Sequence, residues 1–337
     1  MTTTSFTNIE FGATGIQHGH AQLVQSDNAH DAAIIPVPVS VISSGPGPTA
    51  LLVAGTHGDE YEGQIALQSL LRSIRPEQLD GTVIIVPAAN APAVRGGSRV
   101  SPLDGGNLNR QYPGDERGGP TAQLAQLISR ELLPRADSAL DLHSGGTQST
   151  YLSCAFLYRG PTESLWREKV QIARSLGFPF VMVVAERMEP GSFNSAGDDA
   201  GIPVVATELG GGGTIDLQSL GMIRTGLRRY LADAGVLTRP LVQPPRADKP
   251  AQWMELIPES TVTATMAGLF EPAVGLGGRV SAGDRVARIH SIDEPDRAPK
   301  DYFAAIDGIV AVVRRPTLVA AGSHLVHIAR PLPAPAH

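Results

Sequence analysis

The chain has 337 residues, with 27 Lys and Arg against 33 Asp and Glu, and a single cysteine. That length suits two domains of about 150 residues each. The net charge of −6, with no basic run, speaks against nucleic acid and anionic membranes as partners. Lone Cys154 excludes a disulfide framework and any multi-cysteine zinc site, so a bound metal would rest on His, Asp and Glu.

Residues 1–20 are polar and lack the apolar stretch of a secretory signal, which leads us to expect a cytoplasmic, reduced protein. No apolar run approaches the length of a membrane span. From residue 49 to about 235, short apolar runs alternate with helical patterns. Thr49–Ala54 (TALLVA) and 82–87 (TVIIVP) read as strands, as do 138–142, Phe180–Val184 and 203–207. Helical periodicity covers about 60–72, 121–133, 163–175 and 217–232. This alternation predicts an α/β fold with a mostly parallel central sheet flanked by helices. Continuous apolar runs imply strands covered on both faces.

The expected domain division is a catalytic unit over 1–237, with strands of 1–45 packed on it, then a proline-rich linker at 238–249. A β-rich unit follows at 250–337. In that last unit VSAGDRVARI from Val280 repeats as VAAGSHLVHI from Val319. Each copy reads as strand, Gly turn, strand, so two related hairpins closing a small C-terminal β-barrel are expected. The pattern resembles the half-motifs of biotinyl/lipoyl-type domains. A carrier lysine is missing from the matching strand AAIDGIV at Ala304, and Lys300 sits outside the motif. A structural or site-covering role is the better reading.

The first site candidate is His57-Gly-Asp-Glu60, which follows a strand and precedes a helix. Ligands in open α/β sheets bind beyond the carboxyl ends of the strands. An imidazole and a carboxylate three residues apart can converge there on one cation; the plainer alternative is that both merely cap the helix. Asp141-Leu-His143-Ser-Gly-Gly supplies a second histidine just past a strand, and two His with one Glu is a known catalytic zinc set. Such a zinc would make hydroxide available at neutral pH. Glu208, in VVATELGGGG, ends a third strand and suits the carboxylate that takes the proton of a metal-bound water; otherwise it is an ordinary helix N-terminal acid. The loop RVSPLDGGNLNR brings Arg99, Asn109 and Arg110. A guanidinium with an Asn amide can grip a carboxylate, and a second arginine can stabilise an oxyanion.

Together His57-x-x-Glu60, Asn109-Arg110, His143 and Glu208 resemble the succinylglutamate desuccinylase/aspartoacylase family, which is related in fold to the zinc carboxypeptidases. The resemblance spans about residues 49–235. It implies His57, Glu60 and His143 as ligands of one zinc ion and Glu208 as general base and acid. Asn109 and Arg110 would form the carboxylate clamp and Arg99 the oxyanion partner, with Arg95 close by as the alternative. Within the family, GGSRVSPLDGGNLNRQYPG and ELGGGG are most similar to the bacterial deacetylases of ectoine breakdown, which act on N-acetyl-L-2,4-diaminobutyrate. His-Ser-Gly-Gly departs from the His-Asn-Thr pattern of aspartoacylases, and no second arginine motif for a dicarboxylate is evident. The expected substrate is therefore a small N-acyl amino acid with one carboxylate and an amine, the latter meeting Asp104, Asp115 or Asp198. The rivals are a desuccinylase, an aspartoacylase or a carboxypeptidase, and more distantly a non-catalytic metal-binding or carrier protein.

His18, His20, His30, His290, His324, His327 and His337 are read as structural, the barrel histidines as surface positions, and Cys154 as a buried small residue. An exposed barrel edge would offer a surface for homo-oligomers.

Overall fold

Alternate residues of the run at Thr49–Ala54 enter two different cores. Leu51 and Val53 pack on one side of the sheet, Leu52 and Ala54 on the other, and all four are fully buried. Each Leu or Val buried in this way contributes about 1.5–3 kcal/mol by leaving water. The computed structural model describes residues 6–26, 31, 33–185, 190–238 and 250–335. The expected linker, from residue 239 on, lies outside the described residues, as do His30 and His337.

Three N-terminal strands, β1 (Phe6–Thr7), β2 (Gly15–Gln25) and β3 (Ala33–Ser43), run antiparallel to one another. They lead into β4 (Thr49–Ala54), α1 (Tyr61–Ser73), β5 (Thr82–Val86), α2 (Ala91–Gly96) and α3 (Pro120–Leu127). Then come β6 (Ser138–His143), β7 (Ser149–Tyr151), β8 (Cys154–Tyr158), α4 (Glu163–Leu176) and β9 (Phe180–Val184). The series α5 (Phe193–Ala200), β10 (Val204–Glu208) and α6 (Leu217–Asp233) follows. The helical pattern at 121–133 is not one helix. Beyond Leu127 it passes through a π-turn at Ile128–Leu132 into a 3-10 turn at Leu133–Arg135 that carries Pro134.

Strands β5, β4, β6 and β10 are neighbours and parallel, so their carboxyl ends lie on one edge. The sheet as a whole is mixed rather than mostly parallel. β3 joins β5 antiparallel, and β8 enters antiparallel to β10. Between β6 and β8 the chain has only residues 144–153, too few for the crossover that a parallel return needs. Helix α4 separates β8 from β9, and those two are parallel. Helices α1, α4 and α6 face one core, while α3, α5 and β2–β3 face the other.

Past residue 250, β11 (Gln252–Leu256) adds to β9 in the central sheet. The remaining strands are β12 (Thr261–Thr263), β13 (Gly268–Pro272), β14 (Arg279–Val280), β15 (Arg285–His290), β16 (Lys300–Phe303), β17 (Gly308–Arg314), β18 (Leu318–Val319) and β19 (His324–Pro331). The large sheet continues β11–β19–β17–β14, and a four-stranded sheet is ordered β16–β15–β13–β18. Val262, Phe270, Val286, Ile289, Val310, Val326 and Ile328 fill one core between them. The observed pairing is thus two sheets around a core rather than a closed barrel.

The repeat folds differently from the expected hairpins. β14 pairs with β17 while β15 pairs with β13 and β16; β18 pairs with β13 while β19 pairs with β17. Each copy therefore turns a corner from one sheet to the other. Gly283 and Gly322 make those corners at φ of +91° and +87°, a backbone region costly for any side chain. Among the described residues no helix is long and apolar enough to cross a membrane.

Candidate active site

Glu60 is the N-cap residue of α1, yet its side chain makes no capping hydrogen bond. It turns instead between two imidazoles. Its Oε1 lies 2.7 Å from His57 Nδ1 and its Oε2 lies 2.8 Å from His143 Nδ1. Mere helix capping is thereby excluded for Glu60. Gly58 permits this tight turn, because a Cβ there would sit 2.0 Å from the carbonyl oxygen of Ala93. The Ser144 N–H also donates to Glu60 Oε2, at 3.2 Å. Burial alone would raise the Glu60 carboxyl, but the charges and hydrogen bonds of His57 and His143 outweigh it and hold it well below the usual carboxylate range.

His57, Glu60 and His143 are all buried, and their ligand atoms lie within 4.8 Å of one another. Each histidine aims Nδ1 at the shared centre, leaving Nε2 for an outer partner. His143 Nε2 lies 2.8 Å from Asp141 Oδ2, and the hydroxyl of Thr56 donates to Asp141 Oδ1 at 3.0 Å. His57 Nε2 lies 3.2 Å from Asn107 Oδ1. Two imidazoles and one carboxylate, each held from behind, fit a zinc site with a position left for water or substrate. An Asp141→Asn variant is expected to bind zinc about 10- to 100-fold more weakly, read by competition against a chromogenic chelator. Parental affinity would mean that Asp141 does not hold the ligand.

Glu208 sits beside His143, its register partner across β10 and β6. Its Oε2 is buried without a hydrogen-bond partner. Burial first, then the negative charge of Glu60, pushes its pKa well above the usual value, against the pull of His143 and Arg99. The four glycines after Leu209 form a close-packed turn. The Gly145 N–H donates to the Gly210 carbonyl, Gly212 N–H to that of Ser149, and Gly213 N–H to that of Gly146. The loops following His143 and Glu208 are thus tied together.

The two arginine alternatives lie in different surroundings. Arg99 Nη1 lies 3.4 Å from both Glu60 Oε1 and His57 Nδ1, whereas Arg95 donates to the Pro36 carbonyl on β3. Asn109 uses Oδ1 to accept from the Phe193 N–H of α5, and its Nδ2 lies 3.4 Å from His143 Nε2. Arg110 donates to the Asn109 carbonyl. The three aspartates have partners elsewhere. Asp104 accepts from Thr121 at the start of α3, Asp115 from the Arg117 N–H in its own turn, and Asp198 pairs with buried Lys169.

Among the other histidines, His18 meets Ser40 and exposed His290 pairs with Glu271. His324 and His327 are not plain surface positions. His324 Nε2 lies 2.9 Å from Ser149 Oγ beside the site, and burial lowers the His327 pKa to about 4. Cys154 is buried opposite Glu208. Asp141, Thr56 and Asn107 escaped the sequence reading as supports, although Asp141 and Asn107 stand inside the quoted motifs. Asp59 also supports the site: its Oδ2 accepts from the N–H and hydroxyl of Thr147.

Comparison with known proteins adds three observations. Residues 46–234 match the model of the succinylglutamate desuccinylase/aspartoacylase catalytic domain. The chain is 38% identical over 322 residues to the N-alpha-acetyl-L-2,4-diaminobutyric acid deacetylase of Halomonas elongata, covering 95% of this chain and 93% of that one. Its fold is similar to the product-bound ectoine utilization protein EutE (DoeB) of Ruegeria pomeroyi, with TM-score 0.92 and 33% identity over 98% and 99% of the two chains. It is also similar to a succinylglutamate desuccinylase/aspartoacylase of Rhodobacter sphaeroides, with TM-score 0.91 and 31% identity over 98% and 100%.

Proposed function

The chain belongs to the succinylglutamate desuccinylase/aspartoacylase family, and from that premise we propose that it is a cytoplasmic, zinc-dependent deacetylase of N-alpha-acetyl-L-2,4-diaminobutyrate, acting in ectoine catabolism. Residues 1–237 are the catalytic unit in this reading, and 250–337 a β-rich unit beside it. The observation that carries it is the buried cluster of His57, Glu60 and His143 with the unpartnered oxygen of Glu208 beside it. Near-full-length identity to the Halomonas deacetylase supports the choice of substrate.

His57 and His143, through Nδ1, and the Glu60 carboxylate would hold the ion. Zinc supplies Lewis acidity there, for the attacking water and the acyl carbonyl. Glu208 takes the proton of the water as it attacks, then delivers it to the leaving nitrogen as the amide C–N bond breaks. The Arg99 guanidinium donates to the oxygen that gains charge. Asn109 and Arg110 grip the α-carboxylate of the amino acid, which fixes the amide against Glu208. Acetate and free diaminobutyrate leave.

A hydrolysis screen of small acetyl, succinyl and aspartyl amides, with zinc added, tests this. The expected result is a preference for N-alpha-acetyl-diaminobutyrate over N-acetyl-aspartate. The likeness to the Rhodobacter protein favours a desuccinylase or aspartoacylase as the second reading. A preference for N-succinyl or N-acetyl-aspartate substrates would establish it instead.

A further inference from the structure

Tyr151 lies outside every sequence motif that pointed to the site. It is carried on β7, a three-residue strand pinned from two sides. On one side its N–H donates to the Gly210 carbonyl at 2.9 Å, two residues past Glu208. On the other it pairs with Val312 of β17. That strand belongs to the C-terminal unit and lies outside the segment matched by the family model. Ser149, at the start of β7, is tied to the same unit by His324.

The ring of Tyr151 packs, half-buried, against the cluster that holds Cys154 and Phe156, and Cys154 faces Glu208 across β8 and β10. Burial, then the charges of Glu208 and Glu60, push the phenol pKa well above its usual value, with Arg99 opposing. The hydroxyl is therefore a neutral donor that feels the charges of Glu208, Glu60 and Arg99. Among the described residues it has no hydrogen-bond partner, so its proton is available to a ligand. A donor left free in such a place is suited to an oxygen that gains charge only during reaction.

We propose that Tyr151 is a catalytic residue, donating its phenolic hydrogen bond to the acyl oxygen as the tetrahedral intermediate forms, alongside Arg99. The C-terminal unit then does more than flank the site: through the β7–β17 pairing it sets one of the two donors. This rests on the amidohydrolase reading above and deepens it.

The test is Tyr151→Phe, which keeps the ring and removes only the donor. On whichever N-acyl amino acid the parent hydrolyses best, kcat is expected to fall on the order of 100-fold, with KM, zinc content and Tm unchanged. Binding of the phosphonamidate analogue of that same substrate, whose tetrahedral oxygens mimic the intermediate, should weaken by a similar factor. Binding of the substrate itself to the Tyr151→Phe, Glu208→Gln double variant should match that of Glu208→Gln alone. Parental kcat in Tyr151→Phe, or a loss that tracks zinc content or Tm, would overturn the proposal. Because the ratio is taken on the parent's own preferred substrate, a wrong choice of acyl group leaves the test intact.

Discussion

A Glu208→Gln variant is expected to retain zinc like the parent and to lose nearly all turnover, by about 10²–10⁴-fold. The amide has the shape of the carboxylate but cannot take a proton. Glu208 stands at the end of β10 with His143 as its neighbour across the strands, so the proposed base and the proposed ligand set share one sheet edge. Its Oε2 is buried and unpartnered, which leaves it aimed at the reaction rather than at a structural hydrogen bond. A buried carboxylate whose pKa is raised by its surroundings is a better proton acceptor at neutral pH than an exposed one. Burial already disfavours the carboxylate charge that the amide lacks, so Tm should hold or rise. Zinc content by mass spectrometry and kcat on N-alpha-acetyl-diaminobutyrate are the two readouts. Full activity with normal zinc would remove Glu208 from the mechanism.

The parts of this site that are legible in the sequence share one physical cause. His57, His143 and Glu208 each follow a buried strand, and a continuous apolar run marks such a strand whatever the fold around it. Parallel neighbours then bring three distant segments to one edge, so the chemistry of each motif and its place at a strand end point the same way. Strand β8 is not legible, because CAFLY is short and sits directly after a loop, without a helix to announce a return. With it goes Tyr151, whose place depends on β17, about 160 residues later in the chain. The repeat at Val280 and Val319 is visible, but pairing partners are not written in strand–turn–strand patterns. A two-residue strand such as β14 or β18 has no preference strong enough to choose its sheet; the core between the sheets chooses for it.

The ligand set makes the second large prediction: a His143→Ala variant loses its metal. In the proposed site His143 supplies one of three donors, and removing a ligand must cost more than the 10- to 100-fold typical of disturbing its support. Affinity is therefore expected to fall by well over about 10²-fold, so that dialysis strips the ion and activity goes with it. The variant also leaves two buried carboxylates short of a partner, Glu60 on one side of the missing ring and Asp141 on the other. Breaking a buried pair of this kind costs roughly 3–5 kcal/mol, so a lower Tm accompanies the metal loss. That coupling calls for a control that separates ligation from stability. His324→Ala removes a histidine tied to Ser149 near the same site but outside the cluster. It should keep its zinc whatever its Tm does. Unchanged metal in His143→Ala, or equal loss in both variants, would dissolve the assignment of His143 as a ligand.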